Sequence, residues 1–546
     1  MIAVCKQKKS PGRPHWQPAL VMGVALALQA SAQADTISHT VEPGDNLYKL
    51  AAHYMGNPHA WREIQKLNRI RNAHYLTPGT NLLIPKVSST VTASFVHGEV
   101  SLIDAAGNAI KAITHGDQLA EGDIVRTSEN SYLSLEFSDK SIARILSNTR
   151  IRLDRIKEGS LVPQGQRVIY LEQGDIDVSV TPAPKRNPNH FRVITPQAVA
   201  AVRGTRFSVG TGNISTTSVT QGQVEMKQAK PAKRAPGAVL QAGQGIAASD
   251  NGLGEVQTLL AAPDLSQLPT HLPEPELLQF NWPALDGSSE YQYRIAQDAN
   301  MEQVLWNAAS NTAEAMLPSL QDGEYLLAVR ALDMHGIAGY EAQHRFKIAS
   351  HPSSPWLLAP QQGQIVGSNS RLLCTPIAGA QGYHLQIASD QAFQQVVADA
   401  DQLQECQYSL ASLPAGQYYW RVASITTDSA SGIAQHGPYS QPANIILDEN
   451  GATARSTSGQ AYWNSTQQGI QYVAQVSRSP QFESLVAEQV LDHPQIDLKA
   501  LPAGRYYVRL ATRIKQYTGP FSDARILEVE QVNDAIDRTW FDKPKS

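Results

Sequence analysis

One pattern, written three times, governs what the second half of this chain can fold into. SLQDGEYLLAVRAL, ending at Leu332, returns as SLPAGQYYWRVAS, ending at Ser424, and as ALPAGRYYVRLAT, ending at Thr512. Upstream of each copy stand YQYRIAQD, YHLQIASD and YVAQVSRS, beginning at Tyr291, Tyr383 and Tyr472. The repeat glycines Gly323, Gly416 and Gly504 are 93 and 88 residues apart, and the upstream tyrosines 92 and 89. Two landmarks that keep nearly the same period mean three structural copies of about ninety residues.

Nine residues before each upstream tyrosine stand Trp282, Cys374 and Trp463, and two residues after each repeat glycine come Tyr325, Tyr418 and Tyr506. A tyrosine after L-x-x-G resembles the tyrosine corner of immunoglobulin-like sandwiches, and L-x-x-G-x-Y-x-x-x-[VL] resembles fibronectin type III strands. The resemblance implies three β-sandwiches, at 276–350, 355–448 and 455–532, followed by a patternless tail at 533–546. It also puts Cys374 where the other copies carry a core tryptophan, with Cys406 on a neighbouring strand. After processing these are the two remaining cysteines, and in an oxidising compartment an even pair suggests a disulfide. Two buried thiols packing as small apolar groups are the alternative. Strand alternation sends one of Tyr419 and Trp420 into the core, leaving the other for a partner surface. Prolines at Pro263, Pro269, Pro273 and Pro275 mark 251–275 as a semi-rigid linker into this half. Tandem sandwiches so placed act as spacers or docking arms.

Near the start, residues 39–85 read HTVEPGDNLYKLAAHYMGNPHAWREIQKLNRIRNAHYLTPGTNLLIP. An alternating run around Val41 leads to Gly44-Asp45-Asn46, then apolar residues at helical spacing (Leu47, Leu50, Ala51, Tyr54). Asn57-Pro58 announces a second helix by a side-chain cap and a proline at the first helical position. That helix is expected to bury Trp61, Ile64 and Leu67. Pro78-Gly79 turns the chain into a closing strand, Asn81 to Pro85. This βααβ pattern, V-x-x-G-D-[TN]-L followed by P-G-x-x-L-x-I-P, resembles the LysM carbohydrate-binding modules, placed here at 38–86. The resemblance implies recognition of N-acetylglucosamine-containing glycan without chemistry. Its site would be Gly44, Asp45, Asn46 and Leu47 opposite Leu76, Thr77, Pro78 and Gly79. Backbone groups would bond the N-acetyl group and apolar side chains would cover a sugar face. Core packing competes as the role of Leu47 and Leu76, and Asn46 stands where the family usually has threonine.

Residues 95–250 read as β almost throughout, in short alternating runs separated by Gly and Asp turns. HGDQLAEGDIVRTSENSYLSLEFSDKSIARI from His115, LEQGDIDVSV from Leu171, FRVITPQAVAAVRGTRFSV from Phe191 and QGQVEM from Gln221 together resemble the FecR periplasmic domain. Arg203 and Arg206 flank the Gly204 turn, either as charge for a partner or as solvated edge-strand arginines. The family takes its name from a regulator that spans the inner membrane and relays a signal to a sigma factor. No cytoplasmic anti-sigma segment is expected before the domain here. What the resemblance then implies is an interaction or scaffolding role.

The first 34 residues read as a secretory signal. Lys6, Lys8, Lys9 and Arg13 form a basic start, an apolar stretch runs from Ala19 to Leu28, and Ala32-Gln33-Ala34 supplies the cleavage pattern. Cys5 precedes the apolar stretch, unlike a lipidation cysteine. Cleavage shifts the formal charge from −4 to −8, which argues against a nucleic-acid partner. No later stretch is long and apolar enough to cross a bilayer. G-x-S-x-G, H-E-x-x-H, a phosphate-cradling glycine loop and C-x-x-C are all missing from the sequence. His53 and His59 flank a helix break at poor zinc spacing, and Asp175 and Asp177 share a strand face without a cleft signal. No cofactor, metal or catalytic residue is expected.

The sequence therefore reads as a multidomain, mainly β chain: a small βααβ LysM domain, a FecR-like all-β domain and three immunoglobulin-like or fibronectin type III-like sandwiches. The function it points to is a periplasmic, cell-wall-associated tether in a Gram-negative type of envelope. Peptidoglycan glycan strands would be its ligand, and an envelope protein would meet the FecR-like domain or the sandwiches. Two alternatives are an envelope sensor acting through the FecR-like domain and a non-catalytic activator of cell-wall hydrolases.

Overall fold

The computed structural model describes residues 36–55, 58–85, 90–157, 166–182, 190–202, 204–230, 236–427, 434–463, 465 and 469–530. The signal segment, Asn57, Arg203 and the tail at 533–546 lie outside the described residues. Contacts divide the chain into two units: one reaches Leu259 and includes His335–Ala338, and the other holds Leu260–Met334 and the chain from Gly339 on.

In the first unit, β1 (Thr36–Thr40) and β2 (Asn81–Pro85) pair antiparallel, from Thr36 opposite Pro85 to Thr40 opposite Asn81. The two-residue period of the strand sends Leu82 and Ile84 inward and leaves Leu83 outward at 41% exposure. Helix α1 (Leu47–Met55) buries Leu47, Leu50, Ala51 and Met55 along one stripe. Helix α2 (Trp61–Leu67) follows a 3-10 turn at Pro58–Ala60 and has no side-chain cap. Only Ile64 of its apolar residues is fully buried, and Trp61 and Leu67 are half-buried. A helix of seven residues presents barely two turns, so one central residue reaches the core. Asn68, just past it, binds the outer edge of β2 as another strand would. Its side-chain amide donates to Leu83 O at 2.6 Å, and its carbonyl accepts from Leu83 N at 2.7 Å.

Among the described residues, eighteen strands, from Thr90–His97 to Gln257–Thr258, build the second domain of this unit. Its organising strand is Gln166–Ser179. The first part pairs with Arg150–Lys157 and, in parallel, with His190–Ile194; the second part pairs with Ile142–Ile145 and Arg206–Thr211. One strand thus belongs to both halves of the sheet, and apolar residues from both, such as Phe137 and Phe191 with ring centroids 5.4 Å apart, share one core. The S-D-K-S turn closes the hairpin of Tyr132–Glu136 with Ile142–Ile145. Lys140 takes φ +66 there, and Asp139 accepts a hydrogen bond from Ser141 N at 2.9 Å. Pairing carries this domain beyond the expected 95–250. The Thr90–His97 strand begins it, and Gln257–Thr258 pairs with Gln244–Gly245.

The stretch expected as a linker, 251–275, contains the division between the two units at Leu259/Leu260, and it also contributes three short strands to their sheets. Gly252–Leu253 and Gln257–Thr258 pair with Gln244–Ser249 in the first unit. In the second unit, His271–Leu272 lies parallel to Lys347–Ile348, and Leu265 and Leu268 enter the core of the first sandwich. Its leucines outweigh its prolines, because apolar side chains beside an unfilled core are driven into it.

The second unit holds the three sandwiches. Each repeat tyrosine makes the corner bond four residues back: Tyr325 Oη to Gln321 O (2.7 Å), Tyr418 Oη to Pro414 O (3.0 Å) and Tyr506 Oη to Pro502 O (2.6 Å). Trp282 meets Tyr291 edge-on at 5.6 Å, and Trp463 meets Tyr472 at 5.0 Å in the same geometry. In the middle sandwich Cys374 occupies that place, buried and joined to Cys406 by a disulfide. Trp420 is fully buried and Tyr419 half-exposed.

Spacer arms are not what these sandwiches form. Leu357 of the second pairs with Tyr462 of the third, so their small sheets continue as one of five strands. The third returns to the first, where Tyr517 packs edge-on against Trp306 at 4.9 Å. At the junction three distant segments meet. Arg525, on the last strand of the third sandwich, pairs with Glu274 at 3.0 Å. It also donates to Ser354 O, between the first two sandwiches, from Nε (3.0 Å) and Nη2 (2.7 Å), and lies over the Trp356 ring at 4.5 Å. Ser354 N closes the triangle on the Glu274 carboxylate at 2.9 Å. Glu276 accepts from Tyr472 Oη at 3.0 Å and Ser465 Oγ at 2.8 Å. Burial pushes the Tyr472 phenol up to about 12, so it remains a donor.

The Arg525→Ala variant removes one partner of a desolvated pair. A fully buried pair broken this way costs about 3–5 kcal/mol. Glu274 keeps 24% side-chain exposure, so about 2–3 kcal/mol is expected, read as a lower melting temperature of the C-terminal half. Arg525→Met with Glu274→Leu should recover most of it. Burial also pushes the Glu276 carboxyl above its ordinary range, against the opposing hydrogen bonds. The folded state then holds this proton more tightly than the unfolded chain. Its contribution is fully present below the ordinary carboxyl value and is lost as pH rises through the raised one. The stability of Glu276→Gln relative to the native chain should accordingly be greater at pH 7 than at about pH 4; a pH-independent difference would contradict this.

Candidate functional site

The two loops expected to form a groove, 44–47 and 76–79, are joined through Val41. Its N–H donates to Thr80 O and its carbonyl accepts from Gly79 N, each at 2.8 Å. Val41 itself is buried, so the strand end that fixes the loops is anchored in the core. Gly44 (φ +96) and Gly79 (φ +86) both occupy left-handed backbone with open space where a Cβ would stand. Gly44, Thr77, Pro78 and Gly79 are exposed, and Leu76 is half-buried against the core.

The remaining three expected site residues have structural tasks. Asn46 caps α1: its Oδ1 accepts from Lys49 N at 2.8 Å, while its carbonyl accepts from Leu50 N at 3.0 Å. Either asparagine or threonine can do this, which accounts for the substitution physically. Asp45 accepts from Glu42 N at 2.9 Å and contacts His39 Nε2 at 2.8 Å, and these two hold its carboxyl below the usual range. His39 Nδ1 lies 3.0 Å from Tyr54 Oη, tying the turn to α1. The Leu47 side chain is 2% exposed and belongs to the core, so only its backbone stands at the loop. Two exposed aromatics next to the loops were not singled out from sequence: Tyr48 (51% exposed) and Tyr75 (71%). Their signal was an aromatic immediately after or before the loop motif, which helical periodicity does not flag.

Elsewhere, His53 packs edge-on against Tyr54 and His59 against Tyr48. Asp175 and Asp177 are half-buried on one strand face, where Ser208 Oγ donates to Asp177 at 2.6 Å. Arg206 is exposed. The sandwich junction forms a polar and aromatic cleft lined by Glu274, Glu276, Trp356, Trp463, Tyr472 and Arg525 among others. Its sequence signal, Pro273-Glu-Pro-Glu276, reads as a linker by composition alone. Among the described residues no helix is long and apolar enough to cross a membrane.

Two family models match the chain: LysM domain over residues 39–85 and FecR protein over residues 123–225. An uncharacterized protein of Deinococcus radiodurans is 43% identical over 51 residues, 9% of this chain; the chain spans about a fifth (20%) of that relative's length. Two solved structures of candidate anti-sigma factors from Parabacteroides distasonis are 18% and 16% identical. They align with 24% and 26% of this chain and 57% and 68% of theirs, at TM-scores of 0.20 and 0.21. The FN1–FN3 domains of chicken CNTN1 are 16% identical over 48% of this chain and 100% of theirs, at a TM-score of 0.13. At such scores the three structures carry no argument. The family models do: this chain carries a LysM domain at 39–85 and a FecR domain within 123–225.

Proposed function

We propose that this chain is a non-catalytic, exported envelope protein that holds its FecR domain and sandwich block against the cell wall. The ligand is N-acetylglucosamine-containing glycan of peptidoglycan, gripped by the loops at 44–47 and 76–79. The observation that carries this reading is the Val41 clamp, which sets two glycine-bearing, solvent-facing loops side by side on a LysM fold. Exposed backbone groups at Gly44, Thr77 and Gly79 supply hydrogen bonds to the N-acetyl group. Tyr75 and Leu76 offer apolar surface to a sugar face. Asp45, Asn46 and the Leu47 side chain act from behind by fixing the first loop. A single small module binds weakly, and a polymeric glycan compensates by avidity.

The FecR match favours a second reading, an envelope sensor whose LysM domain serves only as its tether. Both readings place the glycan on the same loops and differ in what the rest of the chain does.

The mature protein should co-sediment with insoluble peptidoglycan, and deletion of residues 36–86 should abolish pelleting. Tyr75→Ala, at a side chain with little packing to lose, should weaken binding roughly fivefold, about 1 kcal/mol. Unchanged pelleting of the deletion variant would refute the assigned site.

A further inference from the structure

We propose that the second sandwich binds a divalent transition ion of the zinc type through His384, Asp401 and His436, with Asp399 as the adjoining carboxylate. The sequence gives no hint of it, since the residues lie 17 and 35 positions apart. Three strands bring them together: Gly382–Ala388, the edge strand Val396–Leu403, and the short Ala434–His436 strand. One ligand atom from each of His384, Asp401 and His436 lies within 4.8 Å of the others. Asp399 Oδ1 is 2.5 Å from His384 Nε2. Two imidazoles and carboxylate oxygen form a borderline set suited to zinc, nickel or copper rather than to magnesium or calcium.

The His384 ring is held as a metal ligand usually is. Its Nδ1 lies 2.8 Å from Tyr439 Oη, and Arg421 lies over the Tyr439 ring at 4.2 Å while bound to Gln386. That partner fixes the ring and turns Nε2 toward the carboxylates. An ion there replaces the hydrogen now shared between Nε2 and Asp399. Donor atoms in a tetrahedral site are roughly 3.3 Å apart. Asp401, which accepts from the neighbouring Gln402 N, and His436, edge-on to His384 at 5.6 Å, are both exposed, so side-chain rotation can close the remaining gap.

The other two sandwiches serve as an internal control. Counted from the repeat tyrosines, His384 corresponds to Gln292 and Val473. Gln292 pairs with Ala309 and Val473 with Val490, the counterparts of Asp401. His436 pairs with Ile425, nine residues after the repeat glycine; nine after the third glycine, Arg513 pairs with Thr518. The third sandwich therefore folds with Val473, Val490 and Thr518 at these places, and the fold does not require His384, Asp401 and His436. The edge strand also departs from its copies here. Leu385 faces Ala400 but Tyr383 faces Leu403, so an additional residue is inserted beside Asp401, and Gln402 takes φ +62. The equivalent pairs in the first and third copies run without a shift. A bulge at a sheet edge re-aims a side chain, and this one lies next to Asp401.

The test is zinc titration of the full mature chain by calorimetry, with metal content measured after dialysis. The control variant carries the third sandwich's own residues: His384→Val, Asp401→Val and His436→Thr. The native chain should hold one more equivalent of zinc than the variant, and zinc should raise the melting temperature of the native chain alone. Should the triple variant melt abnormally in chelator, His436→Thr alone, at an exposed position, should weaken zinc binding more than about a hundredfold, beyond the loss of an outer-shell partner. Equal stoichiometry and affinity in native chain and variant, including zinc held only by histidines of the LysM domain, would overturn the assignment.

Discussion

The C-terminal half depends on one buried ionic contact, Arg525 with Glu274. The arginine is 3% exposed and has five donors to satisfy, and no single sandwich supplies enough acceptors. Glu274 comes from the segment entering the first sandwich, Ser354 from the connection to the second, and Arg525 from the last strand of the third. A guanidinium taken out of water without these partners would cost several kcal/mol. The three segments must therefore be together for all three groups to make these bonds at once. That requirement converts a tandem array into a closed block.

The closure reshapes individual copies. In the first two sandwiches the upstream tyrosine accepts a hydrogen bond from the backbone six residues earlier, Leu285 N to Tyr291 Oη and Ile377 N to Tyr383 Oη. The third copy's Tyr472 turns its hydroxyl to Glu276 of the first. At the same position of the repeat, the third copy makes an intermodule bond. The convergence of His384, Asp401 and His436 in the second sandwich is a divergence of the same kind.

In the first unit the controlling constraint is backbone satisfaction around the LysM loops. Val41 makes both of its backbone bonds with Gly79 and Thr80, and Asn68 supplies β2 with the partner its free edge lacks. Asn46 and Asp45, the most conspicuous polar residues of the motif, are thereby employed in holding the turn and the helix start. What faces solvent at the loops is the glycine backbone at Gly44 and Gly79, with the exposed rings of Tyr48 and Tyr75 beside it.

By itself, the sequence determined the units. Periodicity and turn residues placed the βααβ module, the strand-rich middle and three sandwiches with their tyrosine corners, because each rests on contacts within a few residues or between adjacent strands. It also singled out the loops at 44–47 and 76–79, though not which of their side chains are exposed. Leu47 looked equally suited to core and site until helix α1 was seen to point it inward. Only the tertiary structure decided how the sandwiches associate, that Leu265 and Leu268 of the proline-rich stretch enter a core, and that His384, Asp401 and His436 converge. The physical reason is common to all three. Each depends on desolvation and pairing between residues far apart in the chain, and composition and local spacing carry no record of which distant group will supply the missing partner.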